Sequence, residues 1–339
     1  MDPLTHALTS LALARACSPR LPRFSTAMLV VAGVAPDLDY LSFLAGPDAF
    51  LRLNRGLLHS LPSLVVLSCA IGGAFLAVDR KRPANGAGER LRLAPAAATC
   101  AAGLAGHLLL DSCTATGTQL LWPARLRWFS WGISPNFDPW LLILLLGGIL
   151  LPNLLGLVSE EIGSRKKGPG APRGAIVTLA LVAVFLGGRA LLHSRAVNLL
   201  LSHEYHRQAA LDAGAYPVAS TPFAWRGVVA TDNTIEELEV SLVPGSVFDS
   251  ERSVTRYKPE DSPALEAGER TARAKELLAY AQFPLATVRQ HEDGFRFELH
   301  DLRFAPGDSS RENIYLWIDY DAGLRVRNEV FRFAMSGSP

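Results

Sequence analysis

Histidine and aspartate recur inside apolar runs of this 339-residue chain, and that pairing sets the chemistry to look for. His107 and Asp111 lie four residues apart within the apolar run Leu93–Cys113, so on a helix they share a face. A neutral imidazole and a carboxylate so placed can grip one divalent cation. Holding them in hydrocarbon is costly, so other groups must offset the cost. The further candidate ligands are His6, Asp37, Asp39, His59 and Asp138.

Taken singly, each has a structural reading. His6 and His59 fit as interfacial histidines, Asp37 and Asp138 as helix caps, and Asp39 as a water-facing carboxylate. His107 and Asp111 fit as a hydrogen-bonded pair. Together, three His and up to four Asp match one or two ions of zinc, manganese or a similar metal. Lys and Arg read as absent from the apolar runs, so structural ion pairs would lack cations that a metal would supply. A structural zinc site is usually closed by cysteines. Cys17, Cys69, Cys100 and Cys113 have no CxxC spacing and read as small apolar packing residues. An open site able to activate water for ester or phosphoester hydrolysis is therefore expected.

The elements that must position these groups fall in residues 1–195. Met1–Arg15 is a helical stretch too short to cross a bilayer comfortably, capped by Asp2 or Thr5, with Pro3 suited to a first turn. Phe24–Ala45 is apolar but interrupted at Pro36-Asp-Leu-Asp39, and His59 ends a polar connection. Leu61–Val78, Leu93–Cys113, Phe137–Val158 and Ala175–Leu192 are further membrane helices, five to six in all with the short first one. Residues 196–339 read as a soluble α+β domain. Phe223–Ala230, Glu236–Val243, Phe295–Leu299, Ile314–Tyr320 and Leu324–Phe333 are its expected strands. Pro263–Gln282 is its expected helix, and Asp293-Gly294 and Asp321-Ala-Gly323 its turns. His203 and His206 read as surface residues.

The N-terminus reads as lacking a secretory signal, since Asp2 is acidic and no basic stretch precedes the first apolar run. Insertion through the chain's own helices is expected. The basic connections 79–92 and 159–173 belong on the cytoplasmic side. The connections 46–60 and 114–136 then lie outside, with residues 196–339 exported and the candidate ligands near the outer leaflet. A net charge of +1 argues against a general nucleic-acid binder.

Met1-Asp-Pro-Leu-Thr-His6, Pro36-Asp-Leu-Asp39, Arg55-Gly-Leu-Leu-His59-Ser60, Gly106-His-Leu-Leu-Leu-Asp111 and Gly117-Thr-Gln-Leu-Leu-Trp-Pro123 follow in that order. The set resembles the YdjM-type family of bacterial inner-membrane metal-dependent hydrolases across residues 1–195. That family is grouped, by distant likeness, with zinc-dependent phospholipase C and the S1/P1 nucleases. The resemblance implies ligand roles for His6, Asp37 or Asp39, His59, His107 and Asp111, and Asp138 matches a recurrent Asp-Pro. Asn54 and Leu58 depart from the family's His-Arg-Gly-x-Thr-His-Ser pattern, replacing its first His and its Thr.

The leading expectation is a multi-pass inner-membrane hydrolase with a periplasmic C-terminal domain. It would cleave a phosphoester in a lipid or lipid-linked headgroup with metal-activated water. Asp37, Asp39 or Asp138 would serve as general base or as an orienting group. Asn54, Arg55, Thr114, Thr116, Thr118 and Gln119 would face the substrate. The alternatives are a metal-binding transporter or sensor, and a membrane anchor for a binding domain.

Overall fold

The computed structural model describes residues 1–18, 21–81, 90–161, 171–304 and 314–333. Arg82, Arg165, Lys166 and Lys167 of the basic connections lie outside the described residues. The chain divides into two compact units. The first comprises Met1–Tyr40 and Leu53–Leu191, the second Leu41–Arg52 and Leu192–Pro339.

The first half of the chain is helical. Its elements are α1 (Pro3–Cys17), α2 (Ser25–Val34), a 3-10 stretch (Ala35–Ala45), α3 (Pro47–Leu53), α4 (Leu61–Lys81), α5 (Leu93–Ser112), α6 (Pro139–Glu161) and α7 (Ala171–Leu201). Four helical stretches among the described residues are long and apolar enough to cross a membrane: Ser25–Ala45, Leu61–Lys81, Leu93–Ser112 and Pro172–Leu201. Pro139–Leu151 is a shorter apolar helix. Asp2 caps α1, its carboxylate accepting from the Thr5 amide at 2.9 Å and the Thr5 hydroxyl at 2.6 Å. Pro36 ends α2 because its ring cannot donate a backbone hydrogen bond and crowds the preceding turn.

Small residues let the helices close in on the candidate ligands. A Cβ on Gly103 of α5 would lie 2.7 Å from the Leu29 carbonyl oxygen and 3.3 Å from the Gly33 nitrogen of α2. A Cβ on Gly72 of α4 would lie 3.0 Å from the Ala97 nitrogen of α5. A Cβ on Gly33 would instead run into the Ser10 side chain of α1. Met28, Ala32, Ala96, Cys100 and Leu104 fill the space between these helices. Met1, Leu110, Leu141, Leu145 and Val182 form a second buried cluster.

The second half is α+β, built from antiparallel pairs. Its elements are β1 (Glu204–Tyr205), β2 (Gln208–Ala209), β3 (Asp212–Pro217), β4 (Ala224–Ala230), β5 (Thr234–Ser241), β6 (Val254–Tyr257), α8 (Pro263–Glu269), α9 (Ala272–Tyr280), β7 (Pro284–His291), β8 (Gly294–Asp301), β9 (Ile314–Asp321) and β10 (Val326–Phe333). Two four-stranded sheets run β3-β4-β5-β6 and β10-β9-β8-β7. Where one helix was expected over Pro263–Gln282 there are two, because Thr271 caps a new start, its side chain accepting from the Ala274 amide. Buried Arg303 pairs with Asp301 at 2.7 Å and donates to the Tyr280 carbonyl at 2.9 Å. Arg226 of β4 donates to the Leu302 carbonyl at 2.9 Å and also to that of Arg303, tying one sheet to the end of the other.

Gly103→Ala is expected to destabilise the protein by about 1–3 kcal/mol, since the new methyl meets backbone that cannot swing away. Thermal unfolding of the detergent-solubilised protein checks this. A melting temperature equal to wild type would show that α2 and α5 do not depend on this close approach.

Candidate metal centre

The polar groups gather where α1, α2, α5 and the connection before α4 meet. Among the described residues, two triads have all their donor atoms within 4.8 Å of one another: His6, His107 and Asp111, and Asp37, His59 and His107. All five residues are buried. The stacked rings of His6 and His107 have centroids 3.7 Å apart.

The break in α2 prepares His107. A 3-10 turn bonds each carbonyl to the N–H three residues on, and for Gly33 that residue is Pro36, which has none. His107 Nδ1 lies 2.7 Å from the Gly33 carbonyl oxygen, which can only accept, so Nδ1 carries the proton. His59 is set the same way, its Nδ1 2.8 Å from Asp39 Oδ2. Each ring then turns Nε2 inward, and the two Nε2 atoms lie 3.0 Å apart. Asp111 Oδ2 lies 3.1 Å from His59 Nε2 and 3.4 Å from His107 Nε2, yet makes no well-formed hydrogen bond. Burial opposes charge on the His59 ring, but the carboxylates of Asp111 and Asp39 beside it outweigh that and raise its pKa.

These separations suit a small cation. Zinc at about 2.0–2.1 Å from each ligand in a tetrahedral site sets neighbouring donors about 3.3 Å apart. His6 Nε2 stands 3.2 Å from Asp111 Oδ1, and Asp37 Oδ1 stands 3.8 Å from His107 Nε2. His6 Nδ1, Asp37 Oδ2 and Asn54 Oδ1 are buried without hydrogen-bond partners. The donor set therefore fits a divalent metal.

Arg189 corrects the expectation that the apolar runs lack cations, and Arg55 of the polar connection adds a second buried one. Arg55 is buried, with Nη1 3.6 Å from Asp111 Oδ1. It also donates to the Thr114 hydroxyl at 3.0 Å, and its own amide donates to Asp39 Oδ2 at 3.1 Å. Its backbone is left-handed, with φ 56°, and its carbonyl accepts from the Gln119 amide at 2.9 Å. The Met1 amino group also contacts Asp111. Arg189, buried on α7, donates to the Ile133 carbonyl at 2.9 Å. The case for a metal thus rests on the inward-facing Nε2 atoms rather than on missing cations.

Other expected site residues have different neighbours. Asp138 caps α6: Oδ1 accepts from the Trp140 and Leu141 amides, both at 3.1 Å, and Oδ2 from the Ser134 hydroxyl at 2.9 Å. It belongs to neither triad. Thr114 donates its hydroxyl to the Asp111 carbonyl at 2.7 Å, so it braces Arg55. Thr118 is 3.4 Å from the Ser112 hydroxyl, and Thr116 donates to Asn136 at 3.0 Å. The Gly33 carbonyl was not foreseen as a partner, although its place three residues before Pro36 was visible in the sequence.

Asp39→Asn is expected to weaken metal affinity about 10–100-fold, as losing a histidine's orienting carboxylate does elsewhere. Asp138→Ala is expected to leave bound metal unchanged while costing about 0.5–2 kcal/mol of stability through the lost cap. Metal content and thermal unfolding of the two variants check the pair. Metal loss in Asp138→Ala with its fold intact would return that residue to the ligand set.

No curated protein and no solved structure matches this chain. The family model for the YdjM inner membrane protein matches residues 1–196. The match takes in α1 to α6, every residue of both triads and most of α7. It covers more than half of the 339 residues, and the chain belongs to the YdjM inner membrane protein family.

Proposed function

We propose that the chain is a multi-pass enzyme of the inner membrane that uses one divalent metal ion, zinc or manganese, to hydrolyse a phosphoester in a lipid or lipid-linked headgroup. The observation that carries the metal is the pair of Nε2 atoms 3.0 Å apart, both facing Asp111, with both Nδ1 atoms committed elsewhere. His107 joins both triads. Its Nε2 has one lone pair and its Nδ1 is engaged, so it can serve one ion and not two. The two triads are alternative descriptions of one centre.

A metal bound there supplies Lewis acidity, making water a better nucleophile and steadying charge on a phosphoester oxygen. The chain's own residues divide the remaining work. Asp37 is the general base, because Oδ2 is buried beside the triads without a hydrogen-bond partner. Asp39 is a positioning residue, since it holds both the His59 ring and the Arg55 amide. Arg55 carries its guanidinium beside Asp111, where it suits a phosphoryl oxygen.

Counting α1 as a short first member, the proposal includes five to six membrane helices, with residues 196–339 outside the cytoplasm. Arg80 and Lys81 at the end of α4 and Arg90 and Arg92 before α5 support a cytoplasmic connection between them.

Elemental analysis of the purified full-length protein is expected to find one metal ion per chain, lost in His107→Ala and in Asp111→Ala. Phospholipids and a chromogenic phosphodiester are then expected to turn over in a chelator-sensitive way. Metal content unchanged in both variants would refute the centre. Bound metal without turnover of any ester would refute hydrolysis and leave passage or sensing of the ion.

A further inference from the structure

The connection between α5 and α6 and the start of α6 carry exposed apolar side chains that the metal centre does not use. Leu126 is 64% exposed, Trp131 53%, Phe137 54%, and Trp140 at the start of α6 43%. The backbone around them is firmly held. Thr118 and Phe129 exchange backbone hydrogen bonds at 2.9 and 2.8 Å. The Trp131 amide donates to the Ser112 carbonyl at 2.8 Å, and the Ile133 amide to that of Cys113 at 2.9 Å. Ser130 donates its hydroxyl to the Thr114 carbonyl at 2.7 Å. The apolar side chains are thus fixed to the end of α5 that bears Asp111.

Charge identifies what covers these side chains. Arg125 and Arg127 are exposed on either side of Leu126, and no Asp or Glu occurs between Ser112 and Phe137. The segment joins two apolar helices, so it lies where they leave hydrocarbon. Tryptophan, leucine and arginine together suit that level, with rings among the headgroups and guanidinium groups on anionic phosphates.

We propose that residues 121–140 form a lipid-docking platform that seats the Asp111 end of α5 at the level of anionic headgroups. The platform does not require that the centre be hydrolytic.

The test uses full-length protein in phosphatidylcholine vesicles containing a lipid brominated near the top of its acyl chains, with and without phosphatidylglycerol. Bromine quenches tryptophan on contact. Wild-type emission is expected to contain a quenched component that shrinks in Trp131→Phe. Trp225→Phe, which removes a fully buried ring of the second unit, is expected to lose only unquenched emission. Leu126→Trp is expected to add quenched emission, which guards against a folding defect in the Trp131 variant. Phosphatidylglycerol is expected to raise the quenching, and Arg125→Glu with Arg127→Glu to cut that rise about twofold. A quenched component unchanged in Trp131→Phe and in Leu126→Trp would overturn the proposal. So would quenching indifferent to phosphatidylglycerol. Metal content is measured separately, so either failure is distinguishable from failure of the metal centre.

Discussion

A carboxylate with no exposed surface, Asp111, sits inside a bundle of apolar helices, and its charge is the constraint that the surrounding structure answers. An ionised carboxylate without partners there would cost several kcal/mol. Arg55, His6, His59, His107 and the Met1 amino group all stand within reach of its two oxygens. These groups come from three separate stretches of chain, so the bundle must close on them together. Arg55 takes a left-handed backbone conformation to do so, an unfavourable choice for a residue with a side chain. Asp39 and Gln119 fix that conformation from both sides, through the Arg55 amide and carbonyl.

Close packing is the second requirement. The His6 and His107 rings can stack only if α1, α2 and α5 approach nearly to backbone contact. Gly33 and Gly103 meet that need, one against Ser10 and the other against the Leu29 carbonyl. Pro36 contributes by a different route. It ends regular α-helix one turn before the aspartates, and it leaves the Gly33 carbonyl to an imidazole. Local backbone chemistry thereby fixes which nitrogen of His107 faces Asp111.

Much of this was legible in the sequence, and the limits have physical causes. Polar residues in apolar runs announce themselves, and the spacing of His107 and Asp111 implied one helix face. Residue type does not say which donor each carboxylate oxygen takes. Asp39, Asp37 and Asp138 looked alike as candidates, yet one orients His59, one has an unpartnered oxygen and one caps α6. Arg189 was overlooked although it lies within an apolar run, and Arg55 was read as facing substrate without its contact to Asp111. In the second half, β4 and β5 carried clear alternation. β3 did not, because Asp212-Ala-Gly-Ala-Tyr-Pro217 has little intrinsic strand preference. Its pairing along six residues of β4 makes it a strand.

Asn54 bears on how many ions such a centre can serve. It stands where the resembling pattern carries a histidine, and it is buried with Oδ1 unpartnered. A neutral amide oxygen is a weaker zinc ligand than an imidazole and cannot offset the charge of a second divalent ion. His107 cannot help, because its one inward nitrogen already belongs to both triads. Proton and metal also compete for the same Nε2 lone pairs on His59 and His107, so a single cation is enough to relieve their opposition. A second ion would have to rely on oxygen from Asp37, Asp111 and Asn54 with no imidazole to spare except His6. Asparagine rather than histidine at position 54 and the sharing of His107 therefore both favour the one-ion form of the proposed centre.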